Sequence, residues 1–544
     1  MSTREPSEVD ALADAYTLAA ADLDPIFATE IGLSGYDHRM SETDPAFHEA
    51  RDALIRDTLR KLDAVAPRDA VDRVTVAAMK ERLGLTHELH EAGEHFRDLN
   101  NIASPLQGLR DVFDLMPTET EEHWSNIASR LGGVPRAVDG YLACLREGVR
   151  RGSVAPALQV REGIKQAGEL ADRANSFFTG FHREAGQSAA LSAELERAGA
   201  AAAEAYGTLQ QFLRELEPDA PSADAAGRDR YRLWSRVFLG AEVDLDETYE
   251  WGLDELDRVA AEQDAVIEAI AGNGAVIDDA VRELDADPER KLVGTAALRE
   301  WMQSTADAAI RQLNGVHFDI PDQVQRIECM IAPTQSGGIY YTAPSDDFSR
   351  PGRMWWSVPP GVYHEGVPGH HLQLGQAVYN RAELNMWRRL VCWVSGHGEG
   401  WALYAERLME EFGYMDDLGD KLGLLDGQRM RATRVVLDIG VHLGKPAPQR
   451  WGGGTWDAEK AWELLRANVN MDAQFLRFEL NRYLGWPGQA PSYKIGQRLW
   501  EQLRAEASAQ AGDAFSLKDF HSRALNLGSL PLSVLRDAVL DTAS

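Results

Sequence analysis

The chain has 544 residues, of which 44% are hydrophobic and 26% charged, and its formal net charge is -30. These proportions are typical of a globular protein, and no apolar stretch approaches the roughly 20 residues that span a bilayer, which argues against a membrane-embedded role. The acidic charge argues against nucleic acid as a partner, because phosphate backbones are bound by clustered Lys and Arg.

The N-terminal sequence and the cysteines indicate a compartment. The first residues include acids and lack a basic segment followed by an uninterrupted apolar core, so we expect no secretory signal peptide. Cys144, Cys329 and Cys392 are far apart and odd in number, which suits a reducing compartment and excludes a CxxC motif. We therefore predict a cytoplasmic protein.

Apolar residues recur at helical spacing through most of the chain. Residues 124–149 carry two apolar stripes separated by Gly132, Gly133 and Pro135, which predicts two helices. Residues 217–230 form the most linker-like segment. The predicted fold class is therefore mainly α, with a large helical body.

The linker-like segment suggests a division of the chain near residue 230. Residues 1–230 are expected to form an N-terminal helical region that is one wall of a deep cleft. Residues 231–544 carry the chemical motifs described below. We find no internal repeat and predict that both regions belong to one continuous fold.

One segment departs from the helical pattern. Residues 339–342 and 354–358 are short aromatic and β-branched runs joined by a connection rich in Pro, Gly, Asp and Ser. This pattern predicts a small β-hairpin next to the motif that follows. Tyr341 and the hairpin backbone could bind an extended peptide as an added strand; the alternative is a hairpin that only packs on the helices.

The motif HEGVPGHH at residues 364–371 resembles the zinc signature HExxH with a longer spacing. On a regular helix His364 and His370 would lie about 9 Å apart along the axis, too far for one metal with Zn–N bonds of about 2 Å. Pro368 and Gly369 predict a bulge or break that brings the histidines together. The alternative is a polar, histidine-rich turn at a helix start.

A second motif, SGHGEGWALYAERLMEEFG, supplies carboxylates. Glu399 and Glu406 are seven residues apart, so both lie on one face of the predicted helix. We expect His364 and either His370 or His371 to converge on Glu399, with Glu406 in support. The alternative for Glu406 is a solvated helix face.

A third motif, MRATRVVLDIGVHLG, places Arg434, Asp438 and His442 at successive i+4 positions. One interpretation is a polar wall of the cleft in which Arg434 holds a substrate carboxylate. The other is a buried salt-bridge ladder that braces the helices.

These segments together resemble a known family. HEGVPGHHLQ, GEGWALYAE, RATRVVLDIGVH, FELNRYLGWPGQAPSYKIG and FHSRALNLGSLPLSVL look like the domain of unknown function 885 family, and the resemblance covers most of the chain. That family is similar in turn to the gluzincin metallopeptidases such as thimet oligopeptidase. There, HExGH is followed by an ExxxxxxE helix whose first glutamate is the third zinc ligand.

The resemblance implies a gluzincin-like helical body that binds one zinc ion, although other divalent metals also suit these ligand types. It assigns the metal ligands to His364, His370 and Glu399. It makes His371 an alternative ligand and Glu406 the second acid of the pair.

The resemblance also implies a hydrolytic mechanism. Glu365 acts as general base toward metal-activated water, and Tyr493 resembles the tyrosine that donates to the oxyanion. His442 and Lys494 are weaker candidates for the same role, or for contact with the substrate.

We therefore expect a zinc-dependent metallohydrolase, similar to a metallopeptidase, that cleaves peptide or amide bonds in small substrates. A deep cleft would exclude folded proteins. The alternatives are a catalytically silent helical binding protein and a biosynthetic amidase acting on a non-peptide amide. Glu365 counts against the silent protein, because binding alone needs no general base.

Overall fold

The computed structural model describes residues 4–182, 187–331, 340–342, 344, 352–356 and 361–540. Most of these residues lie in α-helices, which confirms the mainly α fold class. Cys144, Cys329 and Cys392 are buried and form no disulfide. Within the described ranges, no helix has both the length and the apolar content that a membrane span requires.

The first helices share a core with the end of the chain. They are α1 (Glu8–Leu23), α3 (Pro45–Ala64) and α4 (Ala70–Glu91), whereas Ile26 of α2 (Pro25–Glu30) packs on the second core described below. Ile55 and Met79 from these helices are buried in the same apolar cluster as Trp401 and Leu535. The core that surrounds the HEGVPGHH segment thus draws on residues from both sides of position 230.

The next five helices enclose a second core. They are α5 (Pro105–Leu115), α6 (Glu121–Arg151), α7 (Ala157–Ala171), α8 (Phe177–Gly180) and α9 (Ala189–Leu216). The prediction of two helices within residues 124–149 is wrong, because α6 is continuous. Pro135 deprives α6 of a hydrogen bond, but Leu131 and Val138 on either side of it are buried in one core. Packing of both stripes therefore outweighs the local helix-breaking preference.

Residues 220–227 contain no helix or strand, as their linker-like composition predicted. Four helices follow: α10 (Arg228–Leu239), α11 (Leu245–Ala271), α12 (Ile277–Ala286) and α13 (Gly294–Leu313). Short 3₁₀ turns lie at Glu94–Phe96, Glu217–Asp219, Pro288–Arg290, Gln449–Trp451 and Gly512–Ala514, and a π turn at Trp387–Val391.

A three-stranded sheet follows α13. Its strands are β1 (Ile327–Ile331), β2 (Tyr340–Thr342) and β3 (Gly352–Trp356), in the order β1-β3-β2. β2 and β3 are antiparallel, as the predicted hairpin requires, and β1, which was not predicted, is parallel to β3. Positions 339, 357 and 358 of the predicted hairpin, and most of its connection, lie outside the described residues. The Ile327 side chain lies against Gly366, so the sheet adjoins the HEGVPGHH segment.

The helices after the sheet carry the predicted site residues. They are α14 (Val362–Glu365), α15 (His370–Tyr379), α16 (Ser395–Glu411), α17 (Leu418–Leu443), α18 (Ala458–Asn468), α19 (Ala473–Gly485), α20 (Ser492–Ala511), α21 (Leu517–Asn526) and α22 (Leu532–Leu540). α16 packs closely on α20, and α17 packs closely on α11. A third core lies between α10, α11, α17, α18 and α19.

Candidate functional site

The HEGVPGHH segment is broken between two helices, as its Pro-Gly pair predicted. α14 ends at Glu365 and α15 begins at His370. A Cβ on Gly369 would overlap the carbonyl oxygen of His364, so the close return of the chain requires a glycine. The Trp401 indole N–H from α16 donates a 2.9 Å hydrogen bond to the carbonyl just before Gly369 and holds the turn in place.

The break brings two histidines and a glutamate together. His364 Nε2 lies 3.2 Å, and His370 Nε2 lies 3.4 Å, from the same oxygen, Glu399 Oε2. A tetrahedral zinc ion with bonds of about 2.0–2.1 Å spaces its ligand atoms about 3.4 Å apart. The two distances therefore fit a metal held by these three side chains. Glu365 lies beside these side chains. One potential ligand atom from each of His364, Glu365 and His370 can be chosen so that all three atoms lie within 4.8 Å of one another.

The two carboxylates of α16 contact opposite sides of the His364 ring. Its Nδ1 lies 2.8 Å from Glu406 Oε1, while Nε2 faces Glu399. Burial lowers the pKa of His364, but the hydrogen bonds with the two glutamates raise it to about 10. A metal that binds Nε2 of His364 would therefore compete with a proton on the same nitrogen.

Glu365 is buried, with 7% of its surface exposed, yet its carboxylate makes no hydrogen bond or ion pair with any residue that the structure describes. Burial raises its pKa, against the lowering effect of His370 and His364. A carboxylate held next to a possible metal site without a structural partner is available for proton transfer.

Tyr493 lies near a close crossing of α16 and α20 and within electrostatic range of Glu399. A Cβ on Gly400 would lie 2.6 Å from Gly496 Cα, so the two helices touch through their backbones. Tyr493 is three residues before Gly496, and Glu399 is one before Gly400. Burial, followed by the charge of Glu399, raises the pKa of Tyr493 to about 12, so its hydroxyl stays protonated and can donate.

His371 is directed away from the cluster. Its Nε2 donates a 2.6 Å hydrogen bond to the carbonyl oxygen of Val324, in the segment before β1. Burial lowers its pKa to about 4. This geometry is against a ligand role for His371 and leaves His370 as the histidine that meets Glu399.

Replacing His371 with Leu is expected to leave metal content unchanged and to lower the free energy of unfolding by about 1–3 kcal/mol, because the buried carbonyl of Val324 loses its donor. As pH falls from about 6.5 to about 4, the unfolded chain gains a proton at His371 while the folded chain does not. The difference between wild type and variant should therefore shrink by about 1.4 kcal/mol per pH unit. Urea unfolding at pH 7 and pH 5, with metal analysis, measures both effects. Loss of the metal, or a pH-independent difference, would contradict this assignment.

His442 lies apart from the cluster. Its Nδ1 accepts a 3.2 Å hydrogen bond from the backbone N–H of Ala226, and its Nε2 donates a 3.0 Å bond to the carbonyl of Tyr483. With both ring nitrogens engaged and burial lowering its pKa to about 4, His442 joins α17 to α19. This geometry is against the predicted catalytic role.

Arg434 is also held by structural partners. Its Nη2 donates to Glu479 at 2.8 Å and its Nε donates to the Tyr483 hydroxyl at 2.7 Å, while its guanidinium lies 4.9 Å from the Tyr493 ring centre. The bracing alternative therefore describes Arg434 better than substrate binding. The side chain of Tyr341, in β2, lies outside the described residues.

Lys494 ends a chain of hydrogen bonds that starts at His364. Glu406 contacts His364 and accepts from Gln428 at 3.0 Å, and Gln428 in turn accepts from Lys494 at 2.7 Å. Lys494 also forms a 2.8 Å ion pair with Glu255, so its ammonium group already has structural partners. This is against the predicted substrate contact, and it gives Lys494 a role in orienting His364.

Two residues near the cluster were not predicted, Gln428 and Arg431. Both lie on α17. Arg431 is three residues after Gln428 and three residues before Arg434, which was a predicted site residue. The same i+3 spacing could have identified them as members of one helix face.

Two solved structures have a similar fold. A protein from Colwellia psychrerythraea, described as "the putative lipoprotein", has a TM-score of 0.83 at 22% identity, with 98% of each chain covered. A "putative lipoprotein of unknown function" from Shewanella oneidensis has a TM-score of 0.72 at 16% identity, with 98% of this chain and 100% of that chain covered. At these identities the similarity concerns the fold alone, so the cytoplasmic location stays a prediction. A comparison with curated proteins found no match.

The motifs around the site also identify the family. The model of a family described as "Bacterial protein of unknown function (DUF885)" matches residues 25–539. This range includes both glutamates of α16 and the whole HEGVPGHH segment, and the resemblance to this family is confirmed. The further similarity to the gluzincin peptidases stays a prediction. The chain belongs to the DUF885 family.

Proposed function

We propose that the protein is a metal-dependent hydrolase, with zinc as the preferred ion, that cleaves peptide or amide bonds in small substrates. The observation that carries the proposal is the meeting of His364, His370 and Glu399 at one point, with the unpaired carboxylate of Glu365 beside them. A site that only binds has no use for a buried carboxylate without a partner, because such a group costs stability.

The chemistry that a bound divalent metal supplies here is Lewis acidity toward a carbonyl oxygen and a water molecule. Glu365 takes a proton from the attacking water and passes it to the leaving nitrogen, and burial brings its pKa closer to neutral pH, which suits both steps. Tyr493 donates a hydrogen bond to the carbonyl oxygen as negative charge develops there. Glu406 accepts from Nδ1 of His364 and so would leave Nε2 free to bind a metal.

The order of these groups supports a gluzincin-like mechanism. The chain order is the same as in that class. Two histidines come first, with a general base beside the first of them, and a glutamate on a following helix comes after them. The longer spacing of HEGVPGHH is compensated by the break between α14 and α15.

Metal analysis combined with a substrate library tests the proposal. Protein purified without chelators is expected to contain about one zinc per chain and to cleave members of a library of N-acylated peptides and non-peptide amides. Chelation should abolish cleavage and added zinc should restore it. Peptide-only cleavage favours a peptidase, and amide-only cleavage favours an amidase. If no transition metal binds, or if the zinc-loaded protein cleaves nothing, the hydrolase proposal fails.

A further inference from the structure

Arg431 is a cation within electrostatic range of Glu365, Glu406 and Asp426, yet it forms a close ion pair with none of them. It is half-buried on α17, and its Nε is fully enclosed without a hydrogen-bond partner. Within the described residues it makes no ion pair either. A guanidinium partly removed from water normally pairs with an anion, so an unpaired one is suited to bind an anionic ligand.

The neighbours of Arg431 place it at the site. On one side, Gln428 donates to Glu406, which contacts His364. On the other side, the Arg434 guanidinium lies over the Tyr493 ring at 4.9 Å. Positions 428, 431 and 434 follow one another around the helix surface, so Arg431 leaves the helix between two side chains that reach the site.

A glycine gives the Arg431 side chain its room. A Cβ on Gly427, one helical turn earlier, would lie 2.7 Å from Nη1 of Arg431. The guanidinium therefore lies along the helix over Gly427. It is within electrostatic range of Glu365 and Tyr493, the groups that we place at the reacting bond.

The surrounding charge decides which substrates this position favours. Glu365, Glu399 and Glu406 surround the site with negative charge, and the chain carries a net charge of -30, so an anionic substrate needs a cation to bind it. The planar guanidinium matches a carboxylate through two parallel hydrogen bonds. An extended peptide spans about 3.5 Å per residue, so a carboxylate one or two residues beyond the reacting bond lies about 3.5 to 7 Å from that bond, a range over which a guanidinium charge acts strongly.

We propose that Arg431 binds the free C-terminal carboxylate of the substrate, and that the substrates are N-acylated amino acids or short peptides cleaved one or two residues before that carboxylate. This inference rests on the proposed function and specifies its substrate class. It assigns to Arg431 the substrate-binding role that the sequence suggested for Arg434, because Arg431 makes no hydrogen bond or ion pair with the described residues that a substrate would have to replace.

Matched substrates test the inference. Each N-acylated di- and tripeptide is made with a free C-terminal carboxylate and as the C-terminal amide. Wild type is expected to prefer the carboxylate form by about 10- to 100-fold in kcat/KM, the range for a hydrogen-bonded charge. Arg431→Gln should lose this preference and treat both forms as wild type treats the amide.

Two further variants separate position from charge. Gly427→Ala, which fits a helix, should displace the guanidinium and reduce the preference while keeping its charge. Arg450→Gln removes an exposed arginine that pairs with Asp257, and should keep the preference. Equal use of both substrate forms by wild type, or an equal loss for both forms in Arg431→Gln, would overturn the inference.

A binding measurement keeps this test independent of turnover. Calorimetry on the zinc-loaded Glu365→Gln variant compares N-acetylated dipeptides with their amides. Tighter binding of the carboxylate form, by about tenfold or more, that disappears in the Glu365→Gln, Arg431→Gln double variant supports the inference even if no substrate is cleaved. Binding without this preference overturns it, as does the absence of binding. Failure of cleavage alone contradicts only the hydrolase proposal.

Discussion

Replacing Glu365 with Gln is expected to lower kcat by about 10²- to 10⁴-fold, the range for loss of a general base, with about one zinc per chain retained. The amide has nearly the shape of the carboxylate but cannot accept the proton of water. Because the Glu365 carboxylate has no partner among the described residues, the exchange should not lower the free energy of unfolding. Steady-state kinetics, metal analysis and urea unfolding measure the three quantities.

An exposed glutamate gives the matched control for this change. Glu459 lies on the surface in the first turn of α18, and Glu459→Gln should leave kcat and metal content as in wild type. Full activity in Glu365→Gln would remove Glu365 from the mechanism. Loss of the metal in that variant would instead make Glu365 a ligand.

Replacing Glu399 with Ala is expected to remove most of the bound zinc and with it the hydrolysis. Among the described residues, Glu399 Oε2 is the carboxylate oxygen that lies within 3.4 Å of both His364 and His370, so its loss removes one of the three proposed ligands. Zinc titration followed by calorimetry measures the affinity, and kinetics at saturating zinc measures the remaining rate.

Glu406 provides the comparison, because it contacts the other nitrogen of the same histidine ring. Glu406→Gln should weaken zinc affinity by about 10- to 100-fold, the range for loss of a group that orients a ligand, and by less than Glu399→Ala does. Equal effects of the two changes, or a larger effect at Glu406, would contradict the assignment of Glu399 as the third ligand.

The parts of the site that follow from local chemistry could be predicted from the sequence. Pro368 and Gly369 cannot continue a helix together, and the structure breaks the helix there. The spacing of Glu399 and Glu406 places both on one face of α16, and both contact His364. In these cases the cause and the effect lie within a few residues of each other.

The parts that depend on distant partners could not be predicted in this way. The choice between His370 and His371 depends on the Val324 carbonyl, which lies before the sheet. Glu479 on α19 forms an ion pair with Arg434, whereas Arg431 forms no ion pair with any residue in the part of the chain that the structure describes. Neither contact can be predicted from the spacing of nearby residues, because the partners belong to other elements of the fold.

Strand β1 and helix α6 also depend on distant partners and could not be predicted from local sequence. A run of five apolar and polar residues at 327–331 does not distinguish a strand from a helix, and only its pairing with β3 does so. Pro135 predicts a helix end from local chemistry. However, Leu131 and Val138 are buried in the same core, and their packing stabilises a continuous α6.

The contact between Gly400 and Gly496 determines which parts of the site can move relative to each other. Because main chain meets main chain there, no side-chain rotamer can absorb a shift between α16 and α20. We therefore expect the backbones of Glu399 and Tyr493 to keep their separation when a substrate binds. A closing motion around a substrate would then come from elements outside this helix pair.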